Sequence, residues 1–228
     1  MKKYISELFG TFILVFTGTC TAVMVGMNPD ANVGTFGIAV SFGLAVIAAA
    51  YSIGHISGGH LNPAVSWAMF MDKRLSFKDF IMYSISQIIG GILGSSLIWI
   101  LFNLMKEEVA PSFAANVHGS LTPVGALVSE IVFTFIFVFV ILSVTKTKFI
   151  APSLAVVIIG FTLILLHLAG IPLSGASLNP ARSIGPAIFT GGQPITDLWV
   201  YIVGPMIGAS ISVLLNNFLD SSEVTNID

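Results

Sequence analysis

Charged side chains are the scarcest class in this chain, 9% of 228 residues, and cysteine is nearly absent, with Cys20 alone. One cysteine excludes an intrachain disulfide framework and any cysteine-based metal site. No metal, cofactor or nucleic-acid partner is expected, and the net charge of −2 itself says nothing about nucleic acid. The abundance lies elsewhere: 55% of residues are hydrophobic and the mean hydropathy is +0.97, far from an ordinary soluble domain. The expectation is one integral membrane domain over residues 1–228. Lys2-Lys3 ahead of an apolar run has the look of a signal peptide. Glu7 interrupts that run, however, and the segment recurs internally.

Apolar segments long enough to span a bilayer lie near 4–27, 34–55, 79–103, 124–145, 151–169 and 197–219. Gly90, Gly91 and Gly94 in the third, with Gly204 and Gly208 in the sixth, suit close helix approach. Two shorter apolar stretches, 62–71 and 179–189, cannot cross. Both open on the same motif: Ile-Ser-Gly-Gly-His-Leu-Asn-Pro-Ala-Val-Ser at 56–66 and Leu-Ser-Gly-Ala-Ser-Leu-Asn-Pro-Ala-Arg-Ser at 173–183, identical at seven of eleven positions. Asn is a strong helix N-cap and Pro is favoured at the first helical position, so each copy reads as a loop running into a helix. A single Asn-Pro-Ala would be an ordinary capped helix. Two copies, each after a long apolar segment, are not.

A second repeat, Ser6–Phe16 against Ser129–Phe139, also matches at seven of eleven positions. The chain therefore reads as two halves, about 1–105 and 122–219, each with three spans and one short segment. Three is odd, so the halves insert with opposite topology, an architecture whose site lies at their interface near the midplane. Lys2, Lys3, Lys73, Arg74, Lys78, Lys146 and Lys148 fall on one side of such a layout, which the positive-inside rule makes cytoplasmic. Lys106 is the only basic loop residue on the other side, and the acidic tail from Asp220 to Asp228 is cytoplasmic. Each short helix of nine or ten residues is roughly 14 Å long, half the hydrocarbon thickness of about 30 Å. Two of them meeting end to end make one pseudo-span, with Asn62 and Asn179 face to face. Irregular backbone at that depth must be buried or line a wet cavity, so the carbonyls of Gly58, Gly59 and His60, and of Gly175 to Ser177, are candidate acceptors along a pore.

Charge inside the membrane needs a reason. Glu7 and Glu130 occupy equivalent repeat positions. They either accept hydrogen bonds from the backbone of the two re-entrant loops or form a proton-relay pair, and bracing is the preferred reading. Arg182 has Val65 as its repeat partner, so a symmetric scaffold does not require it and a functional role is expected. His55 and His60 are expected to hold the loop or its vestibule, the Phe-rich 131–139 to face lipid or core, and His118 to lie in an exposed loop over 105–122.

With those residues assembled, the chain resembles the aquaporin family, specifically its bacterial water-selective type: two Asn-Pro-Ala loops, the final Arg182, paired Glu7/Glu130 and His-Ile-Ser-Gly-Gly-His at 55–60. The resemblance covers essentially the whole chain and implies an all-α fold of six transmembrane helices plus two re-entrant half-helices in an inverted repeat. It implies a homotetramer in the cell membrane with water as permeant, a pore in each protomer and no catalysed reaction. It places a selectivity constriction on Phe42, His167, Ala176 and Arg182, with His167 and Arg182 as donors. Arg182 and the positive half-helix ends would repel cations, and the Asn62 and Asn179 amides would orient water and interrupt a proton wire. Glycerol channels of the family are the alternative. They resemble one another in an Asp directly after the pore arginine, where this chain has Ser183. Ala176 is smaller than the residue usual in water-selective bacterial members, which leaves ammonia or hydrogen peroxide open, and Tyr201-Ile202 departs from their usual aromatic-Trp pair. An ion-coupled transporter using Glu7 and Glu130 is a third reading.

Overall fold

The computed structural model describes residues 1–28, 33–105, 112–146 and 150–221. Lys106, Lys148 and the tail beyond 221 lie outside the described residues. Six long apolar helices are each able to cross a membrane: α1 (Lys2–Met27), α2 (Gly34–Ser57), α4 (Phe77–Leu104), α5 (Pro123–Lys146), α6 (Pro152–Ser174) and α9 (Val200–Ser221). Between them stand the short helices α3 (Pro63–Met71) and α7 (Pro180–Thr190), and a single turn, α8 (Gln193–Thr196), that the sequence reading did not anticipate.

The helix limits follow local chemistry. The fifth span runs to Ser174 rather than stopping near 169. Pro172 forfeits one backbone bond, but its fixed φ is helical, and Gly175 caps the end in the left-handed conformation (φ +77) with its N–H on the Ile171 carbonyl. α2 ends the same way, on Gly58 at φ +92.

The packing pairs α1 with α4 and α5 with α9, while α2 meets α6 across the molecule. Glycine makes the first two pairings possible. A Cβ at Gly90 would collide with the backbone carbonyl of Leu8, and one at Gly208 with that of Ile131. Gly208→Ala is therefore expected to destabilise the fold by about 1–3 kcal/mol, the usual range for overpacking a filled interface. Gly26→Ala, in open space, is expected to be neutral or stabilising. Melting temperatures of the two purified variants check the contrast.

Ion pairs gather the basic residues at one end. Lys3 meets Asp79 at 2.8 Å, and Asp72 pairs with both Arg74 at 2.6 Å and Lys146 at 3.0 Å. These bonds tie the start of α1 to the start of α4, and the end of α3 to the end of α5. This is called the lysine end below.

Candidate functional site

The two Asn-Pro-Ala segments form the same local structure twice. Asn62 N-caps α3, its Oδ1 accepting from Ala64 N at 2.8 Å. Asn179 N-caps α7, its Oδ1 accepting from Ala181 N at 3.0 Å. With both oxygens committed to capping, the amide nitrogens turn across the molecule. Asn62 Nδ2 donates to the Leu178 carbonyl at 2.7 Å, and Asn179 Nδ2 donates to the Leu61 carbonyl at 2.9 Å. The two half-helices thus meet N-terminus to N-terminus, sewn by a reciprocal pair of bonds. Each Nδ2 carries two protons, so one N–H remains on each asparagine after the seam is made.

Leu61 and Leu178 share φ +55, a left-handed conformation costing a leucine about 1–2 kcal/mol. A carboxylate holds each one there. Glu7 accepts from His60 N at 2.9 Å, Leu61 N at 2.7 Å and Gln87 Nε2 at 2.8 Å. Glu130 accepts from Ser177 N at 2.9 Å, Leu178 N at 2.8 Å and the Ser174 hydroxyl at 2.8 Å. A tyrosine completes each brace: Tyr83 donates to the Ser57 carbonyl and Tyr201 to the Ser174 carbonyl. Both glutamates are wholly buried, and neither lines the cavity that runs past Asn62 and Asn179.

A cavity of about 480 Å³ runs from Lys3, Arg74 and Asp79 at the lysine end, past Asn62 and Asn179, to His167 and Arg182. Gly58, Gly59, His60 and Ser177 line it along the way. His60 is held by Ser66, Nδ1 to Oγ at 3.1 Å. His55 instead faces a second cavity of about 520 Å³ beside the first. From the phenylalanine-rich stretch, Phe137 reaches both the core and the cavity wall.

At the far end Phe42, His167 and Arg182 come together. The Phe42 ring stacks on His167 with centroids 4.7 Å apart, and Arg182 Cζ lies 5.1 Å from the centre of the Phe42 ring. His167 Nδ1 is 3.0 Å from the Leu163 carbonyl. A carbonyl can only accept, so Nδ1 carries the proton and the neutral ring offers Nε2 as an acceptor. This departs from the donor role read from the sequence. Arg182 Nη1 donates to the Ala114 carbonyl at 2.9 Å and to Asn116 Oδ1 at 2.7 Å. Arg182 Nε and His167 Nε2 are both buried without a protein partner. Arg182 and His167 both line this end of the cavity, so one donor and one acceptor there lack a protein partner.

Two expectations need correction. Neither Ala176 nor Phe42 lines this cavity: Ala176, at φ +45, is fully buried with its methyl toward Gly170, and Phe42 is buried against His167. Gly175 does not line it either, and its carbonyl accepts from Asn116 Nδ2 at 3.0 Å. Asn116 was missed altogether. Of the expected exposed loop over 105–122, residues 106–111 lie outside the described residues; Ser112, Gly119 and Ser120 are exposed, but Phe113 and Asn116 are buried, and His118 donates its backbone N–H to the buried Asp197. A buried amide in an aperiodic connection gives no sequence signal. The one available hint was that an arginine buried in the membrane needs acceptors from somewhere.

Residues 1–216 match the family model described as Major intrinsic protein. The chain is 38% identical over 233 residues to Aquaporin Z of Rhodopseudomonas palustris, covering 99% of this chain and 96% of that one. It is 39% identical over 234 residues to Glycerol uptake facilitator protein-like 6 of Lactiplantibacillus plantarum, covering 98% and 100%. The X-ray structure of the aquaglyceroporin from Plasmodium falciparum superposes with a TM-score of 0.85 at 25% identity, over 97% of this chain and 96% of that one. Six spans, two capped half-helices meeting at their asparagines and a likeness that runs almost end to end lead to one conclusion: this chain is a multi-pass membrane protein belonging to the major intrinsic protein family, the aquaporin channels.

Proposed function

We propose that the chain is a passive water channel that conducts water down osmotic gradients and excludes protons and ions. The observation that carries this is the unpartnered pair on two residues lining the end of the cavity, Arg182 Nε as donor and His167 Nε2 as acceptor. Water both donates and accepts, and it is small enough to meet both groups beside the Phe42 ring. At the seam, the spare N–H groups of Asn62 and Asn179 donate to a passing water oxygen, so its protons point away from the centre on both sides. The half-helix dipoles, positive at those N-termini, and the fixed charge of Arg182 oppose cations.

The same reading makes residues 1–105 and 122–219 inverted halves of one domain. It places the lysine end, with both termini, in the cytoplasm, by the bias of basic residues toward that side. The channel is assigned to the cell membrane as a homotetramer with a pore in each protomer. Phe42, His167 and Arg182 form the selectivity constriction, with Ala176 behind it.

Glycerol or another small neutral solute is the second reading. The similarity to a protein named as a glycerol uptake facilitator favours it, as does the small, retracted Ala176. Ion-coupled transport has less support, because Glu7 and Glu130 spend their oxygens on loop backbone, away from the cavity.

Stopped-flow light scattering on proteoliposomes, with water, glycerol and ammonia compared in one preparation, separates these readings. Fast osmotic shrinkage with weak temperature dependence, slow glycerol entry and no proton current is the expected result. Proton current that scales with protein content would overturn the role given to the asparagines. Glycerol entry as fast as water would favour the second reading.

A further inference from the structure

We propose that Asn116 is a selectivity-determining residue that acts by positioning Arg182. This rests on Arg182 being part of the constriction. Asn116 reaches three partners at once. Its Oδ1 accepts from Arg182 Nη1 at 2.7 Å and from the Ser183 hydroxyl at 2.8 Å, while its Nδ2 donates to the Gly175 carbonyl at 3.0 Å. One side chain from the connection between α4 and α5 therefore joins the arginine, the start of α7 and the second re-entrant loop.

The guanidinium is planar, so fixing one nitrogen from two directions fixes the aim of the others. Nη1 is held by the Ala114 carbonyl and Asn116 Oδ1, while Nε has no protein partner on a residue that lines the cavity. Without Asn116, the Ala114 carbonyl is the one protein acceptor left to the arginine among the described residues, and a single bond allows rotation about its own axis. The arginine then spreads over positions that include some clear of the lumen, and the gap is no longer held at water size.

The connection is built to deliver these acceptors. Phe113 and Ala114 both hold positive φ, +47 and +50, which non-glycine residues adopt only when their surroundings impose it. Phe113 packs against Phe189 of α7, ring centroids 6.2 Å apart, and the Thr190 hydroxyl donates to the Ser112 carbonyl at 2.7 Å. The strained pair is thus pinned to the far end of the helix that carries Arg182.

The test compares Asn116→Ala and Asn116→Asp, each alone and combined with Arg182→Val, by water and glycerol permeability per channel in proteoliposomes. Asn116→Ala is expected to raise the glycerol-to-water ratio at least about three-fold. Asn116→Asp keeps an oxygen for Nη1 but loses the donor to the Gly175 carbonyl, so its ratio is expected to lie closer to the parent's than that of Asn116→Ala. In the Arg182→Val background, Asn116→Ala is expected to change nothing, since groups acting through one another are not additive. Asn116→Ser, too short to reach Nη1, replaces the alanine variant if that one fails to accumulate. A ratio unmoved by Asn116→Ala, or moved equally with and without Arg182, overturns the proposal while leaving the constriction intact. A ratio that Arg182→Val itself does not alter removes the constriction reading and this inference with it.

Discussion

Glu7→Gln and Glu130→Gln are each expected to cost the fold about 2–4 kcal/mol and to leave the pH dependence of transport unchanged. Every hydrogen bond to these carboxylates comes from a donor, three at Glu7 and three at Glu130. A glutamine replaces one oxygen by an NH2 group that must face a donor. At Glu130 the Ser174 hydroxyl can turn to accept, and at Glu7 the Gln87 amide can flip to present its unpartnered Oε1. Neither remedy reaches the loop backbone. Whichever oxygen is lost, His60 or Leu61 in one loop, or Ser177 or Leu178 in the other, keeps a buried N–H without an acceptor. Folded yield and melting temperature in detergent measure the loss. Water permeability from about pH 5 to 8 measures any titration. Normal stability with a strongly altered pH profile would instead make the pair a proton relay.

The second large effect belongs to the proposed constriction. His167→Gly with Phe42→Trp is expected to raise glycerol permeability about tenfold, equivalent to some 1.4 kcal/mol in the barrier, while water flow changes little. The two rings are stacked, so they share one volume. Removing the imidazole deletes bulk and the Nε2 acceptor together, and the indole extends the apolar wall into the vacated space. Water loses a polar partner as the gap widens, and those changes oppose each other for its passage. Glycerol gains a slot for its carbon backbone and keeps Arg182 Nε for a hydroxyl. Room on the other side is limited: a Cβ at Gly18 would overlap the Phe42 ring, so the indole can grow only toward position 167. Phe42→Trp alone is therefore expected to destabilise the channel, and the double variant to recover. Glycerol uptake and osmotic shrinkage, followed on the same liposomes, decide it. If neither changes, the narrowest point lies elsewhere in the cavity.

How far the sequence could be read depended on whether a feature is periodic, repeated or neither. Uninterrupted apolar length announces the six spans, because a chain crossing lipid must satisfy its backbone internally. The limits lie within a few residues of the observed ones, apart from α6, where Pro172 looks like a terminator and instead sits in a final turn capped by Gly175. Internal repetition announces α3 and α7. It also brought Glu7 and Glu130 to attention as equivalents, since a carboxylate recurring at one place in two apolar helices demands a buried partner.

Conformations and orientations were less accessible. Ala176 was placed by the family resemblance, but at its positive φ the methyl is buried toward Gly170. His167 looked like a donor because residue type does not fix a tautomer; only the carbonyl of Leu163, one turn away, does so. Asn116 sits in a stretch with neither periodicity nor a repeat partner. Its importance appears only when the arginine's acceptors are counted in three dimensions.

The seam at the centre of the pore also orders the molecule in time. Its two bonds join residues 116 and 118 positions apart in the chain. At about 5–20 residues per second, a ribosome makes Leu178 roughly ten seconds after Asn62. The first re-entrant loop can be braced early, because Glu7, Tyr83 and Gln87 are all synthesised within the first three spans. Its asparagine amide and the Leu61 carbonyl have no such early partner. A nascent chain that stops short of the second loop holds a braced but unsewn hairpin, with two polar groups waiting in the heart of the bilayer. Completion of the seam thus comes late, and it separates a finished channel from half of one.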